Sequence, residues 1–137
     1  MKTLIIYYSY TGKTREIAES IAKNEDADII EVKEIKKRST FNAYIFGSFA
    51  ARKQQKAELL DFNSDFSPYN KIIIAMPIWA GYPAPAINNI IDLVPRGKEV
   101  ELIMVSGGGG SKGSCEKTKA LVEEKGAIVV EYKDVRG

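Results

Sequence analysis

Ser9-Tyr10-Thr11-Gly12-Lys13-Thr14 follows an apolar run, Leu4 to Tyr8, and precedes an amphipathic stretch that opens near Arg15. Residues of these types in this order make a phosphate loop. A strand that turns sharply into a helix aims the unpaired first N–H groups of that helix, and the positive end of its macrodipole, at the turn. Hydroxyls at positions 9, 11 and 14 add donors around the same point, and Gly12 lets the backbone approach without a Cβ in the way. A phosphate monoester suits such a loop; a nucleoside triphosphate does not. Gly12-Lys13-Thr14 matches only the tail of the motif G-x-x-x-x-G-K-[ST], whose first glycine would fall at Tyr7. No later strand ends in an acidic residue that would hold magnesium. Taken alone, the six residues also suit an ordinary Ser/Thr-rich strand-to-helix turn.

Two further segments carry unusual residues. Pro77-Ile78-Trp79-Ala80-Gly81-Tyr82-Pro83-Ala84-Pro85 holds the single tryptophan, a tyrosine three residues on, and three prolines. Such a stretch reads as a stiff loop that presents rings at low entropic cost. A planar heteroaromatic stacked on Trp or Tyr gains about 0.5–1.5 kcal/mol beyond area burial; the competing role for Trp79 is a core anchor. Val105-Ser106-Gly107-Gly108-Gly109-Gly110-Ser111-Lys112-Gly113-Ser114 brings bare backbone N–H and C=O groups toward a ligand edge, or else is a mobile surface loop.

The elements that must position these segments follow from hydrophobic patterning. Apolar runs recur at Leu4 to Tyr8, Ile29 to Val32, Ile72 to Met76, Leu102 to Val105 and Ile128 to Tyr132. The third and fourth are continuous, as expected of central parallel strands buried on both faces. Ile17, Ala18, Ile21 and Ala22 recur at helical spacing. Ala84 to Leu93 and Cys115 to Lys125 predict further helices, the second stopped by Gly126, and another is expected within Asn42 to Lys56. Alternating strands and helices imply an α/β fold: a doubly wound, five-stranded parallel sheet in the order 2-1-3-4-5. In such a sheet a ligand sits at the carboxyl ends of the strands beside the switch point, here between strands one and three. The loops leaving strands one, three and four are the three unusual segments.

At 137 residues the chain is expected to form one domain, 1–137, with 45% apolar and 28% charged residues as in soluble globular proteins. No apolar run is long enough to cross a bilayer. No export signal is visible at Met1-Lys2-Thr3, so the expected compartment is the cytoplasm. Histidine is absent and Cys115 is the sole cysteine, which removes the commonest metal ligand, the commonest general base and any internal disulfide. A metal site and a side-chain catalytic triad are therefore not expected, and a bound organic cofactor is the better carrier of chemistry. Net charge is only +2, and no nucleic-acid signature accompanies the basic residues between Lys33 and Lys56. Those residues suit a solvated face, or steering of an acidic or phosphorylated partner. Cys115, near an expected helix start, reads as a small buried side chain, with a redox role as the alternative.

Taken jointly, the three loops resemble the flavodoxins in type and order, and the resemblance covers nearly the whole chain. Ile5 to Thr14, with the pattern [ST]-x-[ST]-G-x-[ST], is similar to that family's opening. Pro77-Ile78-Trp79 and Ser106-Gly107-Gly108 look most like its short bacterial branch. The resemblance implies a non-covalently bound flavin mononucleotide (FMN) and an electron carrier serving redox protein partners. By position, Ser9, Tyr10, Thr11, Gly12, Lys13 and Thr14 would hold the phosphate. Pro77, Ile78, Trp79, Ala80 and Gly81 would lie along the ring, and Ser106, Gly107 and Gly108 would meet its pyrimidine edge. In the family a glycine peptide of the middle loop can turn its carbonyl toward the flavin on reduction, and Gly81 stands in that place.

Three departures shape these expectations. Many flavodoxins are strongly acidic, whereas this chain places Lys112 beside the expected ring, which would make the flavin less reducing. The Gly-rich loop lacks the aromatic that many members stack on the second flavin face. An open face would admit a nicotinamide or quinone, so an FMN-dependent NAD(P)H:quinone oxidoreductase is the alternative. The sequence also stops at Asp134-Val135-Arg136-Gly137, where the family normally adds a helix. An uncovered apolar sheet face is then expected, and with it a homodimer or a longer polypeptide. A signalling receiver of the same topology is a third reading, but Tyr7-Tyr8-Ser9 and Pro77-Ile78-Trp79 stand where it needs acidic residues.

Overall fold

The computed structural model describes residues 2–35, 56–108 and 110–137. Its elements run β1 (Thr3–Tyr7), α1 (Lys13–Glu25), β2 (Asp28–Glu31), β3 (Lys71–Trp79), β4 (Tyr82–Pro83), α2 (Ala86–Asp92), β5 (Glu99–Ser106), α3 (Cys115–Glu124) and β6 (Ile128–Arg136). The long strands form one parallel sheet in the order β2-β1-β3-β5-β6, which is the expected 2-1-3-4-5 once the two-residue β4 is set aside. The helix expected within Asn42 to Lys56 falls outside the described residues, apart from Lys56. Among the described residues, no helix is long and apolar enough to cross a membrane.

Continuous apolar runs make the central strands two-sided. Leu4, Ile6, Ile72, Ile74, Leu102 and Met104 pack with Ile87, Ile90 and Ile91 of α2 and Val122 of α3 on one face. Ile5, Tyr7, Ile73, Ala75, Ile103 and Val105 occupy the other face, where Ile17, Ala18, Ile21 and Ala22 of α1 meet them. The helical spacing of that α1 quartet is what turns its apolar stripe onto β1 and β3. Asn89 of α2 fastens the segment that leads into β3, accepting from the Ala57 N–H and donating to its carbonyl, both at 2.8 Å.

Two strands run further than the apolar runs suggest. β3 continues through Pro77 to Trp79, so the first part of the expected loop is strand. Proline is tolerated there because β1 pairs with β3 only as far as Ala75, leaving that side of the strand without a ladder to feed. The Pro77 carbonyl on the same side accepts from Ala84 N at 2.9 Å. β6 extends past Tyr132 to Arg136.

The sheet face beyond the reach of α1 carries an ion-pair cluster beside two exposed apolar side chains of β6, Ile128 and Val130. Glu101 on β5 is 3% exposed. It pairs with Lys71 of β3 at 3.1 Å and Lys133 of β6 at 3.5 Å, and Lys133 also meets Glu131 at 3.5 Å. Glu101 raises the Lys71 pKa above its ordinary value, keeping the ammonium charged where burial would oppose it. A buried carboxylate stripped of its closest partner is costly, whereas a half-exposed lysine contributes little. Lys71→Met is therefore expected to destabilise the fold by about 3 kcal/mol and Lys133→Met by less than about 1 kcal/mol. Urea unfolding curves of the two variants check that order, and equal losses would contradict it.

Candidate functional site

Gly12 sits at the N-cap of α1 with φ 100° and ψ −11°, a backbone state that side chains with a Cβ rarely adopt. The cap comes from further back in the loop: Ser9 Oγ accepts from Gly12 N at 3.0 Å and from Arg15 N at 3.3 Å. The intervening N–H groups of Lys13 and Thr14 belong to the first turn, which has no intrahelical acceptor for them, so they are the donors an anion would meet. A Cβ built on Gly12 meets no atom within 4 Å, so the front of the loop is open. Thr11 is exposed, whereas Thr14 is buried in the first turn at 2% exposure. The Lys13 ammonium donates to the Gly137 carbonyl at 3.0 Å, at the end of β6, and so points along the sheet edge.

Trp79 ends β3, and Ala80 and Gly81 turn the chain into β4, pairing Trp79 with Tyr82 and Ile78 with Pro83. Both turn residues have positive φ, 53° at Ala80 and 85° at Gly81. That is the type I′ geometry whose twist suits a two-residue hairpin. The Trp79 ring lies edge-on to Tyr8 at 5.9 Å and to Tyr10 at 6.0 Å. Trp79 is half-buried, so it is both a partial anchor and a ring at the site, and Tyr10 ties the phosphate-type loop to the hairpin.

The third loop is pinned by polar groups that the sequence does not reveal as such. Ser106 Oγ accepts from Gly110 N at 3.1 Å. Fully buried Ser111 gives its hydroxyl proton to Asp134 Oδ1 at 2.6 Å, and Asp134 also accepts from Ser111 N at 3.0 Å. With that proton committed, Tyr132 is the donor in its short contact with Ser111 Oγ. Burial is the main cause of the Tyr132 pKa being pushed up to about 12, which keeps the phenol protonated. Gly107 and Gly108 are exposed at the end of β5, and Lys112 is exposed in the same loop.

The structure thus brings Ser9 to Thr14 and Pro77 to Gly81 into one contact set, with Ser106 to Gly108 ending the neighbouring strand. Residues that sequence reading missed lie on the other side of the first loop. Arg15 pairs with Glu31 at 2.6 Å, Tyr7 donates to the same carboxylate at 3.2 Å, and Tyr8 donates to Glu34. Glu31, and then Tyr7, raise the Arg15 pKa, while burial pushes the Tyr7 phenol up. A cavity of about 430 Å³ opens there, bounded by Ser9, Gly12, Arg15, Glu31 and Leu60. No local spacing joins the end of β2 to α1, because the Arg15–Glu31 pair is a tertiary contact between separate elements.

A family model described as Flavodoxin matches residues 2–129. The chain belongs to the flavodoxin family. A flavoprotein of Lactobacillus acidophilus, solved in complex with FMN, is 26% identical, with 97% of this chain and 92% of that one covered and a TM-score of 0.82. The apo form of the Lactobacillus acidophilus flavoprotein, solved by NMR, is 31% identical over 97% of this chain and 92% of that one, with a TM-score of 0.71. Two-electron-reduced flavodoxin of Megasphaera elsdenii shares the fold at 20% identity and a TM-score of 0.59, covering 97% and 85% of the two chains. An uncharacterized protein of Archaeoglobus fulgidus is 26% identical over 129 residues, 93% of this chain and 81% of that one.

The two turn positions of this flavodoxin-family chain should respond oppositely to exchange of Gly and Ala. Ala80→Gly relieves a left-handed alanine and is expected to stabilise by about 0.5–1 kcal/mol. Gly12→Ala forces such a conformation and is expected to destabilise by at least about 1 kcal/mol. Thermal and urea unfolding of the two variants measure both signs.

Proposed function

We propose that this flavodoxin-family chain binds FMN non-covalently and carries electrons between redox protein partners, in the cytoplasm. The observation that carries this reading is the meeting of an open helix N-terminus at Gly12-Lys13-Thr14 with the Trp79 hairpin through the Tyr10–Trp79 contact. A phosphate donor set and an aromatic turn side by side match the two ends of a flavin mononucleotide. The FMN complex of the Lactobacillus acidophilus relative supports it.

The residues present fit the cofactor. Gly12 and Gly81 each leave the space in front of them clear of atoms within 4 Å of an added Cβ. Among the described residues no cluster of acidic, Cys or His side chains could hold a metal ion. Ser9, Tyr10, Thr11, Gly12, Lys13 and Thr14 would hold the phosphate, chiefly through backbone N–H groups at the positive end of α1. Pro77, Ile78, Trp79, Ala80 and Gly81 would lie along the ring system, and Ser106, Gly107 and Gly108 would meet its polar edge. Bound flavin supplies one-electron and two-electron redox chemistry. The chain's own part is to bind, orient and set the electrostatics, and exposed Lys112 favours added negative charge nearby.

A second reading, an FMN-dependent NAD(P)H:quinone oxidoreductase, is favoured by one feature. Gly107 and Gly108 are exposed and offer no ring to cover a second flavin face.

Absorption spectra recorded during FMN titration and stepwise anaerobic reduction test both readings. Expected are saturable flavin bands and reduction in two one-electron stages, with Trp79→Ala binding about tenfold more weakly through loss of roughly 1.4 kcal/mol of stacking. Rapid bleaching by NAD(P)H alone would favour the reductase. No spectral change at excess FMN would overturn both.

A further inference from the structure

Ser114 occupies the N-cap of α3, the position at which serine ordinarily caps the helix with its own side chain. It does not do so here: no side-chain cap bond is made. Instead the hydroxyl, fully buried, donates to the Gly81 carbonyl at 2.6 Å, across 33 residues of sequence. A secondary contact to the Ser111 carbonyl is longer, at 3.3 Å. The surrounding backbone holds Ser114 in place. Ser114 N donates to Ser111 O at 3.0 Å, and Thr118 returns both its N–H, at 3.0 Å, and its hydroxyl, at 3.1 Å, to the Ser114 carbonyl.

The acceptor is equally specific. Gly81 is the second residue of the left-handed turn beside Trp79, and with no Cβ its peptide has alternative orientations open to it. A short hydrogen bond from a buried, backbone-fixed hydroxyl selects one of them. The adjoining Ser111 faces the other way, toward Asp134 and Tyr132 of β6. The two serines therefore bracket the Gly-rich loop between β6 and the hairpin.

We propose that Ser114 is a positioning residue for the ring-side half of the site: its hydroxyl fixes the Gly81 carbonyl and makes the Trp79 hairpin and the Gly-rich loop one unit. Its effect on FMN rests on the reading above, but the coupling itself exists without cofactor. Loss of such a bond is expected to change loop opening about tenfold, as a buried neutral hydrogen bond of about 1.4 kcal/mol does.

Ser114→Ala is compared with Ser111→Ala, which removes a buried hydroxyl from the same loop without touching the hairpin. In flavin-free protein, Ser114→Ala is expected to shift the Gly81 carbonyl ¹³C resonance and to speed amide exchange at Ala80 to Tyr82 about tenfold, while Ser111→Ala does neither. FMN affinity should fall about tenfold in the first variant and less than about threefold in the second. Ser114→Cys, similar in size but a weaker donor, should fall between Ser and Ala, and it supplies the same measurements if the alanine variant does not fold. An unmoved Gly81 resonance, or equal effects from both serines, would overturn the proposal. Wild-type protein that ignores FMN while Ser114→Ala still moves Gly81 would overturn the cofactor reading and leave the coupling intact.

Discussion

The register of β3 between its neighbours pairs Tyr7 with Ala75 on one side and Pro77 with Val105 on the other, so three strands end close together along one edge of the sheet. That alignment is enforced by burial. Each of the three strands is covered on both faces, and slipping one by a residue would exchange its two apolar faces and misplace every side chain. The loops they release have short spans to cover before meeting. Tyr10 reaches Trp79, and Ser114 reaches Gly81, because the strands have already brought their roots together.

Within that frame, order at the site comes from side chains used against their usual roles. Ser9 caps α1 from three residues before the N-cap glycine, so the cap position itself can stay bare. Ser114 leaves its own helix uncapped to hold a distant carbonyl. Ala80 stays in a left-handed conformation where glycine would be more comfortable. Strain of this kind persists where surrounding contacts over-determine it, and such places cluster at ligand sites.

The α1 stripe and the Gly12 loop were legible in the sequence because each is written in local spacing, and the sheet order because strands and helices alternate along the whole chain. Ile72 to Met76 could be assigned to a central strand from its unbroken apolar run, and Gly12 to the phosphate-type loop from its place between that loop's hydroxyl residues. The extent of β3 was hidden because proline normally argues against a strand, and Pro77 is allowed only by where β1 stops. The apolar run read from the sequence began at Leu102; Lys71 and Lys133, from two different strands, are what let Glu101 lie buried within β5. Ser114 was read as the end of the Gly-rich loop, and its bond to Gly81 depends on tertiary placement that no spacing encodes.

Covering part of a sheet face with Glu101, Lys71, Lys133 and Glu131 instead of a hydrocarbon layer gives that region a different response to heat. The cost of withdrawing charges from water falls as temperature rises, while the gain from burying apolar surface levels off. The part of the face under α1 and the ion-paired part thus draw their cohesion from forces that respond differently to heat. On warming, the charged half holds a growing share of what keeps β5 and β6 together.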